Sequence, residues 1–200
     1  MAMSGLNIQN ILLDRDGTII KDKHYLSEPE EIEFYQGSLD TLRAMRAAGL
    51  NLFLITNQSG IGRGYFSLQD YYRVHDVLVE YLAREGITFK DSLFCPHAPE
   101  DGCTCRKPGT GLWEKLSSRC GLLPENSAII GDKKSDILFG HNCGLAASIL
   151  VCTGRGSKTL SEMGLGLQDQ EWIQPPPGTG LPTLVARDLS AVWKWLCNSH

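Results

Sequence analysis

Ile8-Gln9-Asn10-Ile11-Leu12-Leu13-Asp14-Arg15-Asp16-Gly17-Thr18 runs from nearly unbroken apolar sequence straight into two aspartates and a glycine. A short apolar run bounded by turn residues suits a strand buried on both faces, as in a parallel sheet covered by helices. The flanking sequence keeps that rhythm. Ser38–Ala48 places Leu39, Leu42 and Met45 at helical spacing, with Gly49 as a C-terminal cap, and Leu50–Ile55 reads as a second strand. Ser67–Glu85 predicts the longest helix, with Leu68, Tyr71, His75, Leu78 and Leu82 on one face and a capping box between Ser67 and Asp70. Further strands are expected at Ser92–Phe94, Ser127–Ile130 and Ala147–Cys152, and helices at Gly111–Cys120 and Ser135–Asn142. Thr183–Ala186 resumes the pattern. A last helix follows, with Leu189, Val192, Trp193 and Leu196 on its apolar face and Trp195 half exposed. The alternation predicts an α/β fold with a parallel sheet and helices on both faces. It reads as one domain over residues 1–200, interrupted by a Cys/His loop at about 95–105 and a Gly/Pro-rich surface loop at about 154–182. Gly154-Arg155-Gly156 belongs to that loop, because no helix pattern follows it directly.

Composition narrows the function classes. Two hundred residues with 42% hydrophobic and 21% charged side chains describe a globular chain able to bury a core. Nineteen basic against 23 acidic residues leave a net charge of −4, which argues against binding nucleic acid by bulk charge. No apolar run reaches the roughly 18 residues of a membrane span. Met1–Gln9 lacks the basic start and apolar centre of a secretory signal. The expectation is a monomer in the cytoplasm, with neither membrane nor nucleic acid as partner. In a reducing compartment the seven cysteines call for an account other than disulfides.

The carboxyl ends of parallel strands are where open α/β sheets bind ligands, and Asp14-Arg15-Asp16-Gly17-Thr18 lies at such an end. Asp14 can attack phosphorus as a carboxylate nucleophile, and Asp16 can protonate the leaving oxygen and later deprotonate water. Two carboxylates in one small site invite Mg²⁺, which would offset their repulsion. The alternative is a strand end followed by an Asx-type turn.

Three further segments decide the matter by resemblance. Asp14–Thr18, Thr56-Asn57-Gln58, Lys107 and Gly131-Asp132-Lys133-Lys134-Ser135-Asp136 resemble, in order, the four motifs of the haloacid dehalogenase-like phosphatases. That resemblance implies a Rossmann-like sheet with a minimal cap and an aspartyl-phosphate intermediate. It implies Thr56 and Lys107 on the transferring phosphoryl group, and Asp14, Asp16 and Asp132 around Mg²⁺. Asp136 is either a further ligand or a partner of one. Lys133 is expected to face substrate, and Lys134 solvent.

Cys95-Pro96-His97 and Cys103-Thr104-Cys105 supply three thiolates and an imidazole within eleven residues. Such a set suits a closed tetrahedral Zn²⁺ site of structural type; buried free thiols or a redox pair are the alternatives. Arg106 and Lys107 follow the last ligand, so a metal fixing this loop would also aim two cations. Arg106 has a guanidinium fork fit to clasp a second phosphate. The loop, with Thr56–Gly64, is similar to that of the heptose 1,7-bisphosphate phosphatases and their histidinol-phosphate phosphatase relatives. This implies hydrolysis of the C7 phosphate in ADP-heptose formation for lipopolysaccharide. It also implies substrate contacts from Asp22, Tyr25, Asn57, Gln58, Ser59, Arg106 and Lys133. One departure is His24, where the heptose enzymes carry glycine. Thr56–Gly64 and Arg106-Lys107-Pro108 also resemble the polynucleotide 3′-phosphatases, which lack the thiolate cluster. A zinc-stabilised binding module on an inactive scaffold is the reading from outside enzymology.

Overall fold

The computed structural model describes residues 7–178 and 180–198. Met1–Leu6 of the signal-peptide reading, and Thr179 in the Gly/Pro-rich stretch, lie outside the described residues. Among the described residues seven strands share one sheet: β1 (Asn10–Leu13), β2 (Asn51–Asn57), β3 (Phe89–Cys95), β4 (Ser127–Gly131), β5 (Ala147–Val151), β6 (Trp172–Ile173) and β7 (Leu184–Ala186). Their order is β3-β2-β1-β4-β5-β7-β6, parallel throughout except for the β6–β7 pair. Register runs Leu13↔Leu54 and Leu13↔Ile130, so β1 lies centrally between β2 and β4.

Each central strand is apolar on both sides because each side is covered. One face carries α1 (Ser38–Ala47), α3 (Leu68–Arg84) and α7 (Leu189–Asn198) over Ile11, Leu13, Leu52, Leu54 and Ile130. The other carries α4 (Gly111–Cys120), α5 (Lys134–Asn142) and α6 (Gly156–Glu162) over Leu12, Phe53, Ile129 and Leu150. A single-turn helix, α2 (Ser59–Gly62), follows β2.

The capping box of α3 forms as expected: Ser67 Oγ accepts from the Asp70 N–H at 3.1 Å, and Asp70 Oδ2 accepts from the Ser67 N–H at 2.8 Å. Its buried face differs in detail. Val74 joins Tyr71, Leu78 and Leu82, while Leu68, the first residue of the helix, is exposed. Trp195, expected half exposed, is buried and Trp193 only partly so, because α7 also packs against β5, β6 and β7. The largest correction is α6. Residues 156–162, expected in a loop, are helical, buried through Gly156, Thr159 and Leu160 and held by Thr159 Oγ1 donating to the Asp132 carbonyl at 2.9 Å. Seven residues are too few for a hydrophobic period to show; the anchoring is tertiary. No helix among the described residues is long and apolar enough to cross a membrane.

Candidate active site

β1 ends at Leu13, and the Asp14 N–H still donates to the Ile130 carbonyl at 2.9 Å, so the aspartate leaves the sheet at its carboxyl edge. That point lies between β1 and β4, where the order of connection reverses and a crevice must open. Gly17 turns the chain there with φ +92°. A Cβ on Gly17 would sit 2.1 Å from Asp132 Oδ2, so only glycine lets the β1 turn close on the β4 carboxylate.

Asp14 and Lys107, 93 residues apart, meet in the interior: Lys107 Nζ donates to Asp14 Oδ1 at 2.9 Å and to the Ile55 carbonyl at 2.9 Å. The same ammonium lies 2.6 Å from Asp136 Oδ1. Lys133 Nζ stands 3.6 to 3.7 Å from carboxylate oxygens of Asp14, Asp22 and Asp132. Lys134 is exposed, as expected.

These contacts set the charges. Burial pushes the Asp14 carboxyl up, but the Lys107 and Lys133 charges outweigh it and hold the group below its usual range. Burial, the Asp14 charge and the Asp136 charge push Asp132 up to about 7, against the pull of Lys133. Burial likewise raises Asp136. For Lys107, burial is overcome by Asp136 and Asp14, and its ammonium is held charged above the ordinary value. Oxygens of Asp14, Asp132 and Asp136 lie within 4.8 Å of one another, and the buried Asp132 Oδ1 has no hydrogen-bond partner among the described residues. Crowded, under-neutralised carboxylate oxygens of this kind fit a hard divalent cation.

Of the remaining expected residues, Asp22, Tyr25, Asn57, Gln58, Ser59, Arg106 and Lys133 all line one cavity of about 230 Å³, together with Asp16. Thr56, next to last in β2, is buried on the same rim. The Asn57 side chain also clasps the Lys107 backbone, donating to its carbonyl and accepting from its N–H, both at 3.0 Å. Gln58 Nε2 turns to Asp16 Oδ2 at 2.8 Å and to Thr56 Oγ1 at 2.9 Å. The Asp16 carboxylate, expected among the cation ligands, lies outside the Asp14–Asp132–Asp136 group; Arg15 Nε also donates to its Oδ2 at 3.0 Å.

Three features escaped sequence reasoning. Asp136 anchors Lys107, a pairing that depends on tertiary contact. Arg15 is buried to 1% exposure between the two aspartates, its guanidinium 5.5 Å from the Tyr71 ring centroid. Residues 153–155 belong to the site through three bonds: Thr153 Oγ1 to the Gly17 carbonyl at 2.7 Å, Gly154 N–H to Tyr35 Oη at 2.9 Å, and Arg155 N–H to Asp132 Oδ2 at 2.8 Å. Their place just past the end of a parallel strand was the available signal.

Beside Lys107, the Cys/His loop gathers its four side chains. The sulfurs of Cys95, Cys103 and Cys105 are 3.3 to 3.6 Å apart, and His97 Nδ1 is 3.5 Å from Cys95 and 3.3 Å from Cys105. All three thiols are free. A tetrahedron with ligands about 2.3 Å from its centre has edges of about 3.8 Å, close to these spacings and far from a disulfide's roughly 2.05 Å. Cys95, His97, Cys103 and Cys105 could together hold a metal ion. His24 and Tyr25 adopt φ +51° and +74°. His24 thus occupies the left-handed region that glycine would favour.

Comparisons with known proteins agree with this geometry. Residues 104–190 match the HAD-hydrolase-like family model. The chain is 42% identical over 142 residues to the D-glycero-beta-D-manno-heptose-1,7-bisphosphate 7-phosphatase of Helicobacter pylori, covering 70% of this chain and 82% of that one. It is 38% identical over 141 residues to the D-glycero-alpha-D-manno-heptose-1,7-bisphosphate 7-phosphatase of Campylobacter jejuni, covering 70% and 81%. The crystal structure of the D,D-heptose 1,7-bisphosphate phosphatase from B. bronchiseptica, complexed with magnesium and phosphate, superposes with a TM-score of 0.81 at 31% identity, covering 96% of this chain and all of the other.

Proposed function

The chain belongs to the haloacid dehalogenase-like phosphatases, and on that premise we propose that it hydrolyses the C7 phosphate of D-glycero-D-manno-heptose 1,7-bisphosphate, a step of ADP-heptose formation for lipopolysaccharide-type glycans. The observation that carries this reading is the buried Asp14 carboxylate with Lys107 Nζ at 2.9 Å on Oδ1. That contact leaves Oδ2 as the attacking oxygen. Attack on phosphorus forms the Asp14–phosphate bond as the ester P–O bond breaks, and Asp16 gives its proton to the departing C7 oxygen. Asp16 then takes a proton from water, whose oxygen displaces the phosphate from Asp14. Lys107 and the Thr56 hydroxyl bind the phosphoryl oxygens, where charge spreads in the transition state. When bound at Asp14 and Asp132, with Asp16 alongside, Mg²⁺ supplies further positive charge to those oxygens and relieves the repulsion among the carboxylates.

Asp22, Tyr25, Asn57, Gln58, Ser59, Arg106 and Lys133 serve the sugar and its second phosphate, and Asn57 and Gln58 also hold Lys107 and Asp16 in place. Cys95, His97, Cys103 and Cys105 hold Zn²⁺ as a structural staple that fixes where Arg106 and Lys107 point. The enzyme acts as a monomeric single domain on a small phosphorylated sugar. Side-by-side kinetics on both heptose bisphosphate anomers, histidinol phosphate and a 3′-phosphorylated oligonucleotide test this. The expected result is a kcat/KM for one heptose anomer at least about a hundredfold above the other two substrate classes, a floor below the roughly 10⁴ that a fully used hydrogen-bonding site reaches. A preference for histidinol phosphate or the oligonucleotide would overturn it.

A further inference from the structure

Arg155 is an exposed arginine on the turn between β5 and α6, expected from sequence to be a bland loop residue. Its backbone is not bland. The Arg155 N–H is bonded to Asp132 Oδ2, and Gly154 before it has φ +54°, with a would-be Cβ 2.3 Å from Asp132 Oδ2 and 2.5 Å from Gly17 Cα. Thr153 and Thr159 pin the segment on either side, to the Gly17 and Asp132 carbonyls. The turn is therefore built onto the floor of the site, and its one long side chain starts at the rim.

Arg155 lines the cavity at Asp16 together with Arg106, Lys133 and Asp22. It also lines a second cavity of about 340 Å³ that shares Asp22 and His24 with the first and reaches Lys21 and Tyr35. Among the described residues, no hydrogen bond or ion pair engages its guanidinium. The neighbouring cations differ: Lys107 is held by two carboxylates, Lys133 faces three, and Arg106 Nη1 reaches the His97 carbonyl at 3.4 Å. A guanidinium without an internal partner, on a braced turn over a phosphoryl-transfer site, is an anion receptor.

We infer that Arg155 is a specificity-determining residue, binding the non-reacting phosphate of the bisphosphate substrate from a different loop than Arg106. This rests on the heptose bisphosphate reading above. Phosphate presents enough oxygens for two guanidinium forks, and two arginines from separate loops fix its position where one would fix only its distance. The monophosphate lacks that group, so the contribution of Arg155 shows as a difference between two substrates.

The test is Arg155→Gln and Arg155→Lys in the full chain with Mg²⁺, assayed on heptose 1,7-bisphosphate and on heptose 7-phosphate, with unfolding midpoints measured alongside. Losing a charge-assisted contact, Arg155→Gln should lower kcat/KM on the bisphosphate about tenfold to hundredfold, chiefly through KM. Its loss on the monophosphate should be smaller by about fivefold or more. Arg155→Lys, which keeps the charge but not the fork, should fall between. Equal losses on both substrates, or no loss on the bisphosphate with wild-type turnover intact, would overturn the role of Arg155 alone. A wild-type chain inactive on the bisphosphate would overturn the functional reading, and this inference with it.

Discussion

Lys107 is a fully buried cation between two buried aspartates, and each of the three is costly without the others. On the proposed mechanism Asp14 contributes the attacking oxygen, while Asp136 Oδ1 lies 2.6 Å from the ammonium. The variant Asp14→Asn should therefore lose at least about a thousandfold in kcat, as removal of a nucleophile does, while Asp136 still partners Lys107 and the fold persists. Circular dichroism and turnover measured together check this; retained turnover in the folded variant would mean that Asp14 is not the nucleophile. Behind the site, His75 stacks on Tyr71 with ring centroids 5.5 Å apart and planes at 14°, and its Nδ1 is buried without a partner among the described residues. Burial and the Arg15 charge hold its pKa below 6.5, against the pull of Asp76. The unfolded chain thus takes up a proton near pH 6.5 that the folded chain refuses. Stability from this group is constant above that pH and declines as pH falls from 6.5 toward the folded value. Urea unfolding at pH 7.5 and 5.5 should show a smaller acid loss in His75→Gln than in wild type. Equal losses would remove His75 from the account.

The site is assembled from elements that each end at one rim: β1 delivers Asp14, β2 Thr56, β4 Asp132, and the turn after β5 brings Arg155. The Cys/His loop after β3 delivers Lys107, two residues beyond the last thiol. The Asn57 clasp ties that backbone to β2, and Asn142 of α5 donates to the next carbonyl, Pro108, at 2.9 Å. Replacing one thiolate with a weaker ligand, Cys105→Ser, should abolish zinc retention and lower phosphatase activity by about tenfold or more, with a lower unfolding temperature. Metal analysis by mass spectrometry beside kinetics decides it; full activity in a zinc-free protein would contradict the staple. The capping box of α3 was legible because Ser67 and Asp70 act locally. Helix α6 was not, because what holds it is Thr159 reaching the Asp132 carbonyl, a contact that no period in residues 156–162 encodes.

At the scale of the whole molecule, the sheet holds the rim in register because both its faces are filled. Phe139, on α5, is fully buried in the cluster that joins Leu12 of β1 and Ile129 of β4 to Leu112 and Leu116 of α4. Truncation, Phe139→Ala, should cost about 3–5 kcal/mol through the cavity it leaves, read as a shift in the urea midpoint. A change under about 0.5 kcal/mol, the size of a surface substitution, would mean that this face does not brace the sheet.

The alternation of apolar runs with amphipathic stretches determined the α/β class, and the placing of Asp14, Thr56 and Asp132 at strand ends determined where chemistry could occur. Both are local properties: strand and helix periods are written in neighbouring residues, and a carboxylate after a buried strand emerges at the sheet's edge. What only the tertiary structure decided is which groups touch. Asp136 went to Lys107, Gln58 and Arg15 to Asp16, Trp195 inward and Leu68 outward, because burial and pairing depend on elements dozens of residues apart. A charge removed from water takes whichever partner the packed chain places within reach, and that distance is set by the whole fold.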